Sequence, residues 1–334
     1  MRLCSSERRI WVVWAVSAVM ASPLTGFAAT CTTQAEMTAD ARNGLATAGA
    51  QLASAVIEQD DSTLQAALLP AESGSWPGIQ EAVDEAAPLL KGGKVQLRNL
   101  YMLDASGLTA PADTQFFCSN ANGSLTVTIA MRALPPGKYA VVLADAVGAP
   151  MGGQMGLILG WMSGANGGWK LAGLTVRPGM LDGHDGVWFW AHARELEGNG
   201  QPWSAWYCYQ FAHDLLIPVD FLSSPNLEKL LTEQSQIENG PQKAFPLSIP
   251  DGDRTWKIDA IHVDGSLGHD DLGVVYESTG VTDPGAQRTE ATSVMSALLK
   301  ARPELRKNFH GLWAYAVYQG KTTPVMELPM DQIP

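Results

Sequence analysis

Leu125-Thr126-Val127-Thr128-Ile129-Ala130-Met131-Arg132 decides the architecture of the first part of the chain. Apolar side chains alternate there with polar or small ones at a period of two, which makes the segment a strand with one buried face. Val95-Gln96-Leu97-Arg98 carries the same period upstream. Tyr139 to Ala144 and Met155 to Trp161 are further strands, and Asn166-Gly167-Gly168 is a hairpin turn into Trp169-Lys170-Leu171-Ala172-Gly173-Leu174. Before Gly93 the period is helical. Ala41, Leu45, Ala48, Leu52 and Val56 share one helix face; a second short helix starts at Asp61-Ser62 and runs through Leu64, Leu68 and Leu69 to Pro70. A third carries Ile79, Val83, Ala86 and Leu90 and stops at Gly92-Gly93. Helices followed by an antiparallel sheet with one face covered define an α+β domain.

This helix–helix–sheet order, the stretch from Gln59-Asp60-Asp61 to Leu69-Pro70, and the closing hairpin at Gly168-Trp169-Lys170-Leu171 resemble the NTF2-like cone fold over residues 35–178. That group includes SnoaL-type cyclases and ketosteroid isomerases, and also cones that only bind a ligand or partner. The resemblance implies a curved sheet around a pocket. Tyr101, Asp104, Tyr139 and Asp145 are the groups available there for acid–base work, of the kind in which a buried carboxylate has its pKa raised beside a Tyr. Asp104 precedes Ala105-Ser106-Gly107 and Asp145 precedes Ala146-Val147-Gly148, settings that favour turn residues. No position matches a family catalytic motif, so no catalytic residue is carried over.

Residues 181–240 read as helical and aromatic-rich. Phe189, Ala193, Leu196, Ala205, Tyr209 and Ala212, with Gly198-Asn199-Gly200 as the turn, resemble one tetratricopeptide-like helical pair. A lone pair of this kind must lean on a neighbour to be stable. Ser224-Pro225 opens a third helix through Leu227, Leu230 and Leu231. Residues 245–334 read as a small two-layer β-β-α-β-β module, one helix across an antiparallel sheet. Its strands are Trp256 to Val263, Leu272 to Glu277, Leu312 to Tyr318 and Pro324 to Leu328. Its helix is capped by Asp283-Pro284 and striped by Ala291, Val294, Met295, Leu298 and Leu299.

The amino terminus has the layout of a secretory signal peptide: Arg2, Arg8 and Arg9, an apolar run from Ile10 to Met20, then small residues up to Ala28. Cleavage after Ala28 removes residues 1–28, including Cys4, and leaves no segment long enough to span a membrane. The net charge is −12 for the whole chain and −14 without that segment, which excludes nucleic-acid binding through a basic face. Export to the periplasm or the outside places Cys31, Cys118 and Cys208 in an oxidising compartment. A Cys31–Cys118 bridge or three separate thiols are both open, with Cys208 among buried-looking aromatics.

Motifs for chemistry are sparse. His184-Asp185, His192 with Glu195, and His213-Asp214 form the best metal-ligand cluster, but H-E-x-x-H, C-x-x-C and calcium-loop patterns are missing. No G-x-S-x-G, S-x-x-K or P-loop occurs, and no cofactor is expected. Trp188, Phe189, Trp190, Trp203, Trp206, Tyr207, Tyr209 and Phe211 suit core packing better than a sugar-stacking row. The expectation is an exported, non-enzymatic binding or scaffold protein whose partner is another protein or a small apolar ligand. The competing reading is an isomerase, dehydratase or cyclase acting in the cone pocket.

Overall fold

The computed structural model describes residues 29–119, 123, 125–164 and 167–334. The expected signal peptide and the turn residue Asn166 lie outside them. The chain is mixed α+β. In its first part a short strand β1 (Thr30–Thr33) precedes α1 (Ala39–Glu58), α2 (Asp61–Ala67) and α3 (Trp76–Leu90). Each helix starts and stops for a local reason. The Thr38 side chain accepts from the Ala41 N–H, and α1 ends at Gln59 in the left-handed region. Asp60 caps α2; hydrogen bonds from Thr63 and Ser62 lower its pKa to about 2. Helix α3 buries Ile79, Val83, Ala86 and Leu90, the stripe that the spacing predicts.

Six strands follow: β2 (Lys94–Asp104), β3 (Ala112–Ser119), β4 (Thr126–Leu134), β5 (Lys138–Val147), β6 (Gln154–Met162) and β7 (Gly168–Arg177). The main sheet has the order β1-β2-β5-β6-β7 with antiparallel neighbours, while β3 and β4 form a separate ribbon. Along β5, Ala140, Val142 and Ala144 pack with the helices. The alternate residues Val141 and Leu143 join Tyr101, Leu103, Phe116 and Ile129 on the other side. The sheet is therefore buried on both faces, not on one. The ribbon's own apolar stripe, Val127, Ile129 and Met131, can leave water only by folding over the sheet. Cys31 on β1 and Cys118 on β3 are disulfide-bonded, which stitches sheet to ribbon, and Cys208 is a buried free thiol. Burial pushes the Cys208 thiol pKa up, the state of an inert packing residue.

The second part begins with two short paired strands, β8 (Met180–Leu181) and β9 (His184–Asp185), and continues with α4 (Gly186–Gly198), α5 (Pro202–Leu216), β10 (Leu222–Ser223) and α6 (Pro225–Ser235). It closes with β11 (Leu247–Asp251), β12 (Arg254–Asp264), β13 (Asp271–Glu277), α7 (Pro284–Ala301), α8 (Leu305–Asn308), β14 (Gly311–Tyr318) and β15 (Lys321–Pro329). These five strands form one sheet in sequence order. The expected antiparallel arrangement fails at its centre, where β13 and β14 are parallel. Helices α7 and α8 carry the chain back across the sheet, so β14 must start from the end at which β13 started. Strand β11, not anticipated, adds an outer edge. One apolar core holds Phe189, Tyr207 and Phe211 of the helical pair together with Ile258, Val274, Tyr276, Val294 and Leu298 of the sheet module. Among the described residues, no helix is long and apolar enough to cross a membrane.

The two parts interlock. After α5 the chain returns over the inner face of the first sheet; Ile217, Val219, Leu222 and Leu227 enter the ribbon core, and β10 pairs with β4. Gln154, buried on β6, donates to the carbonyls of Leu215 at 2.6 Å and Pro178 at 3.2 Å. Beside it Gly156 is required by close approach, since a Cβ there falls 2.1 Å from Val219 Cγ1. Gly156→Ala is expected to cost about 1–3 kcal/mol through overpacking. Adding Val219→Ala restores most of that loss, and urea titrations of the single and double variants check the coupling.

Candidate carboxylate–histidine centre

The parallel crossover has a chemical result. It brings His310, just before β14, beside Asp271 at the start of β13, and β15 places Glu327 opposite Trp313. Residues Leu272, Val274 and Tyr276 of β13 point into the core, so Asp271 belongs to the opposite face. Asp271 is nevertheless only 1% exposed. His310 Nδ1 lies 2.8 Å from Asp271 Oδ1, and the His310 N–H donates to Asp270 Oδ1 at 3.0 Å. The His269 ring stacks on the His310 ring, 3.9 Å between centroids and 15° between planes. His269 Nδ1 lies 2.6 Å from Asp182 Oδ1, and Asp182 Oδ2 accepts the Asp270 N–H at 3.0 Å. Two imidazole–carboxylate pairs are thus layered on each other, the outer held by the loop between β8 and β9.

The electrostatics follow from burial and spacing. Burial raises the pKa of Asp271, an effect that His310 only partly offsets. Burial and then the Asp271 charge raise Glu327. Asp270 is pushed up to about 8, by burial first and by the neighbouring Asp182 second. Burial opposes the His310 cation, but the bond to Asp271 and the surrounding carboxylates outweigh it and leave its pKa raised. Two acceptors, Asp271 Oδ2 and Glu327 Oε1, are buried with no hydrogen-bond partner. Gly311 lies against both residues. A Cβ at that position would stand 2.7 Å from Glu327 Oε1, 2.8 Å from Asp271 Oδ1 and 2.9 Å from the Leu328 carbonyl oxygen. Such a set of carboxylates and imidazole is suited to holding a cation or moving a proton.

The histidines favoured by the sequence do not share a ligand centre, although His184 and His192 both stack on Trp188. His192 contacts Glu195 at 3.4 Å and His213 contacts Asp214 at 3.3 Å, each within its own helix. His184 stacks on Trp188 at 3.7 Å, and Asp185 caps α4 through the Trp188 N–H. Of the cone residues, Asp104 and Tyr139 line a groove of about 350 Å³ with Met102, Trp161 and Trp169. Asp104 Oδ1 accepts the Ser106 N–H at 2.9 Å, the turn role expected of it, and this bond lowers its pKa. Asp145 sits elsewhere, half-buried and 3.6 Å from Arg98, with its pKa raised by burial. Tyr101 belongs to the ribbon core. Most of the α4–α5 aromatics are buried, with Trp190 and Trp206 half-buried and Trp188 exposed.

A wider cleft of about 1060 Å³ separates the two parts. Leu89, Val176 and Arg177 line one wall, and Leu181, Leu215 and the loop Asp264 to Leu267 line the other. Sequence reasoning missed Asp182, His269, Asp270, Asp271, His310 and Glu327 as a group. The available signal was His269-Asp270-Asp271 running directly into the apolar strand from Leu272, with His310-Gly311 opening the next strand of the same sheet. Comparison with family models, curated proteins and solved structures finds no match for this chain.

Proposed function

We propose that the chain is an exported, non-enzymatic binding or scaffold protein, with an NTF2-like cone at residues 35–178, and that it engages a segment of a partner protein in the cleft between its two parts. One observation carries this reading: the inner face of the first sheet is filled. Val219 seats against Gly156, and Ile217, Leu222 and Leu227 pack with Tyr101, Leu103, Val141 and Leu143 where a cone enzyme needs its reactant cavity. The large cleft, by contrast, offers apolar walls at Leu89, Val176, Leu215 and Leu267, with Arg177 paired to Asp220 at its rim. That mixture suits an amphipathic chain segment better than a small rigid reactant. The helical pair supports the same reading as a repeat-like element leaning on the sheet module.

The alternative, a small-molecule isomerase, dehydratase or cyclase in the cone, is favoured by the Asp104–Tyr139 groove. It is weakened by the lowered pKa of Asp104, because a general base working near neutrality needs the opposite shift. A photo-cross-linker at Leu267, on the cleft rim, is expected to capture a discrete polypeptide in the native exported compartment. The same group at exposed Phe117, outside the cleft, is expected to capture none. A reproducible small-molecule adduct in native mass spectrometry, lost on Trp161→Ala, would overturn the binding reading in favour of the cone enzyme.

A further inference from the structure

We propose that Asp271, Glu327 and His310 form a binding site for a divalent first-row transition cation. The ligand-bearing atoms of these three residues all lie within 4.8 Å of one another, the one such group of His, Cys, Asp or Glu among the described residues. Ligands held about 2.0–2.2 Å from one ion stand roughly 3–4 Å apart, so only a small contraction separates this arrangement from coordination. Three features besides proximity point to a cation.

The first is the orphaned acceptor. Asp271 is almost wholly buried, its Oδ2 has no donor, and Glu327 Oε1 across from it has none either. Buried carboxylate oxygens of this kind are ordinarily satisfied by a donor or by a metal. The second is the convergence of oxygens on Gly311. A Cβ there would stand 2.7 Å from Glu327 Oε1, 2.8 Å from Asp271 Oδ1 and 2.9 Å from the Leu328 carbonyl oxygen, a cradle too tight to admit any side chain at 311. The third is the support behind the nitrogen ligand. His310 is oriented by its backbone bond to Asp270 and by the His269 ring stacked upon it, and His269 is itself held by Asp182. Outer partners of this sort fix the ring of a ligating histidine.

Two carboxylates and one imidazole select the class of ion. Calcium and magnesium favour all-oxygen shells, whereas mixed imidazole and carboxylate donors suit zinc and manganese. The site also bears on the cleft, because the loop from Asp264 to Leu267 that forms one of its walls leads directly into His269-Asp270-Asp271. Cation binding does not depend on the partner-binding proposal and is tested without any partner.

The full chain, stripped of metal, is titrated with Zn²⁺ and separately with Mn²⁺ by calorimetry, with the thermal midpoint followed in parallel. One equivalent of at least one of the two ions is expected to bind and to raise the midpoint. Asp271→Asn combined with Glu327→Gln is expected to weaken that binding by roughly 100-fold or more, and Gly311→Ala to weaken it comparably by filling the cradle. His192→Gln with His213→Gln, which removes the half-buried helical histidines, is expected to leave it unchanged. Circular dichroism of each variant establishes that it is folded. Unchanged affinity in the folded carboxylate double variant, loss of binding in the helical histidine variant, or binding of calcium but of neither Zn²⁺ nor Mn²⁺ overturns the assignment.

Discussion

Replacing Cys31 and Cys118 together by Ser is expected to lower the unfolding free energy by about 2–5 kcal/mol. The bridge closes a loop between residues 87 apart in sequence, and in the chain-entropy account the stabilisation grows with the logarithm of loop length, which places this one towards the upper end. Geometry adds to the effect. Strand β1 has only four residues, pairs with β2 alone and buries little of itself, so the sulfur link is its principal tie to the ribbon. Urea unfolding of the wild type in reductant is expected to match the double variant without it. Coincident curves for oxidised and reduced wild type would show that the bridge contributes nothing to stability.

Phe211→Ala is expected to cost about 3–5 kcal/mol, the range for emptying a well-packed aromatic site. Phe211 is 1% exposed, and its ring lies 5.4 Å from Phe189 in α4 and 6.1 Å from Phe309 ahead of β14. It is thus shared by the helical pair and the sheet module. Asn308 reinforces the same junction by donating to Gln201 Oε1 at 2.7 Å and Ser204 Oγ at 2.9 Å. The loss is therefore expected in one transition that removes helical and strand signals together. Hydrogen exchange that leaves β12 and β13 protected while α4 and α5 exchange freely would show instead that the two elements do not share a core.

The helices of this chain were legible because their apolar stripes are regular and their start signals sit in sequence: Asp61-Ser62 for α2, one residue past its actual cap Asp60, Ser224-Pro225 for α6 and Asp283-Pro284 for α7. Strand β4 was legible for the same reason at a period of two. Strand β1 was not, since Thr30-Cys31-Thr32-Thr33 carries no alternation and owes its conformation to its register with β2 and to the disulfide. The parallel pairing of β13 with β14 was hidden because strand periodicity says nothing about direction; the α7 crossover decides it. The carboxylate–histidine centre was hidden for a related reason. Its members come from residues 182, 269–271, 310 and 327, and only the crossover and the β8–β9 loop bring them together. The helical histidines looked better because they are close in sequence, yet a helix spends each of them on its nearest acid.

The return of residues 217–227 onto the first sheet sets an order on biosynthesis. When residues only up to β7 are available to fold, β4 still has an unpaired outer edge, and the dent at Gly156 has nothing seated in it. The strand that covers that edge and the valine that fills that dent arrive only with the later part of the chain. Until then the early part is an incomplete sheet with an exposed ladder of backbone groups, the kind of edge that recruits other strands. A chain ended after residue 178 would keep that edge for good and would be expected to self-associate, even though its helices and main sheet are entirely encoded.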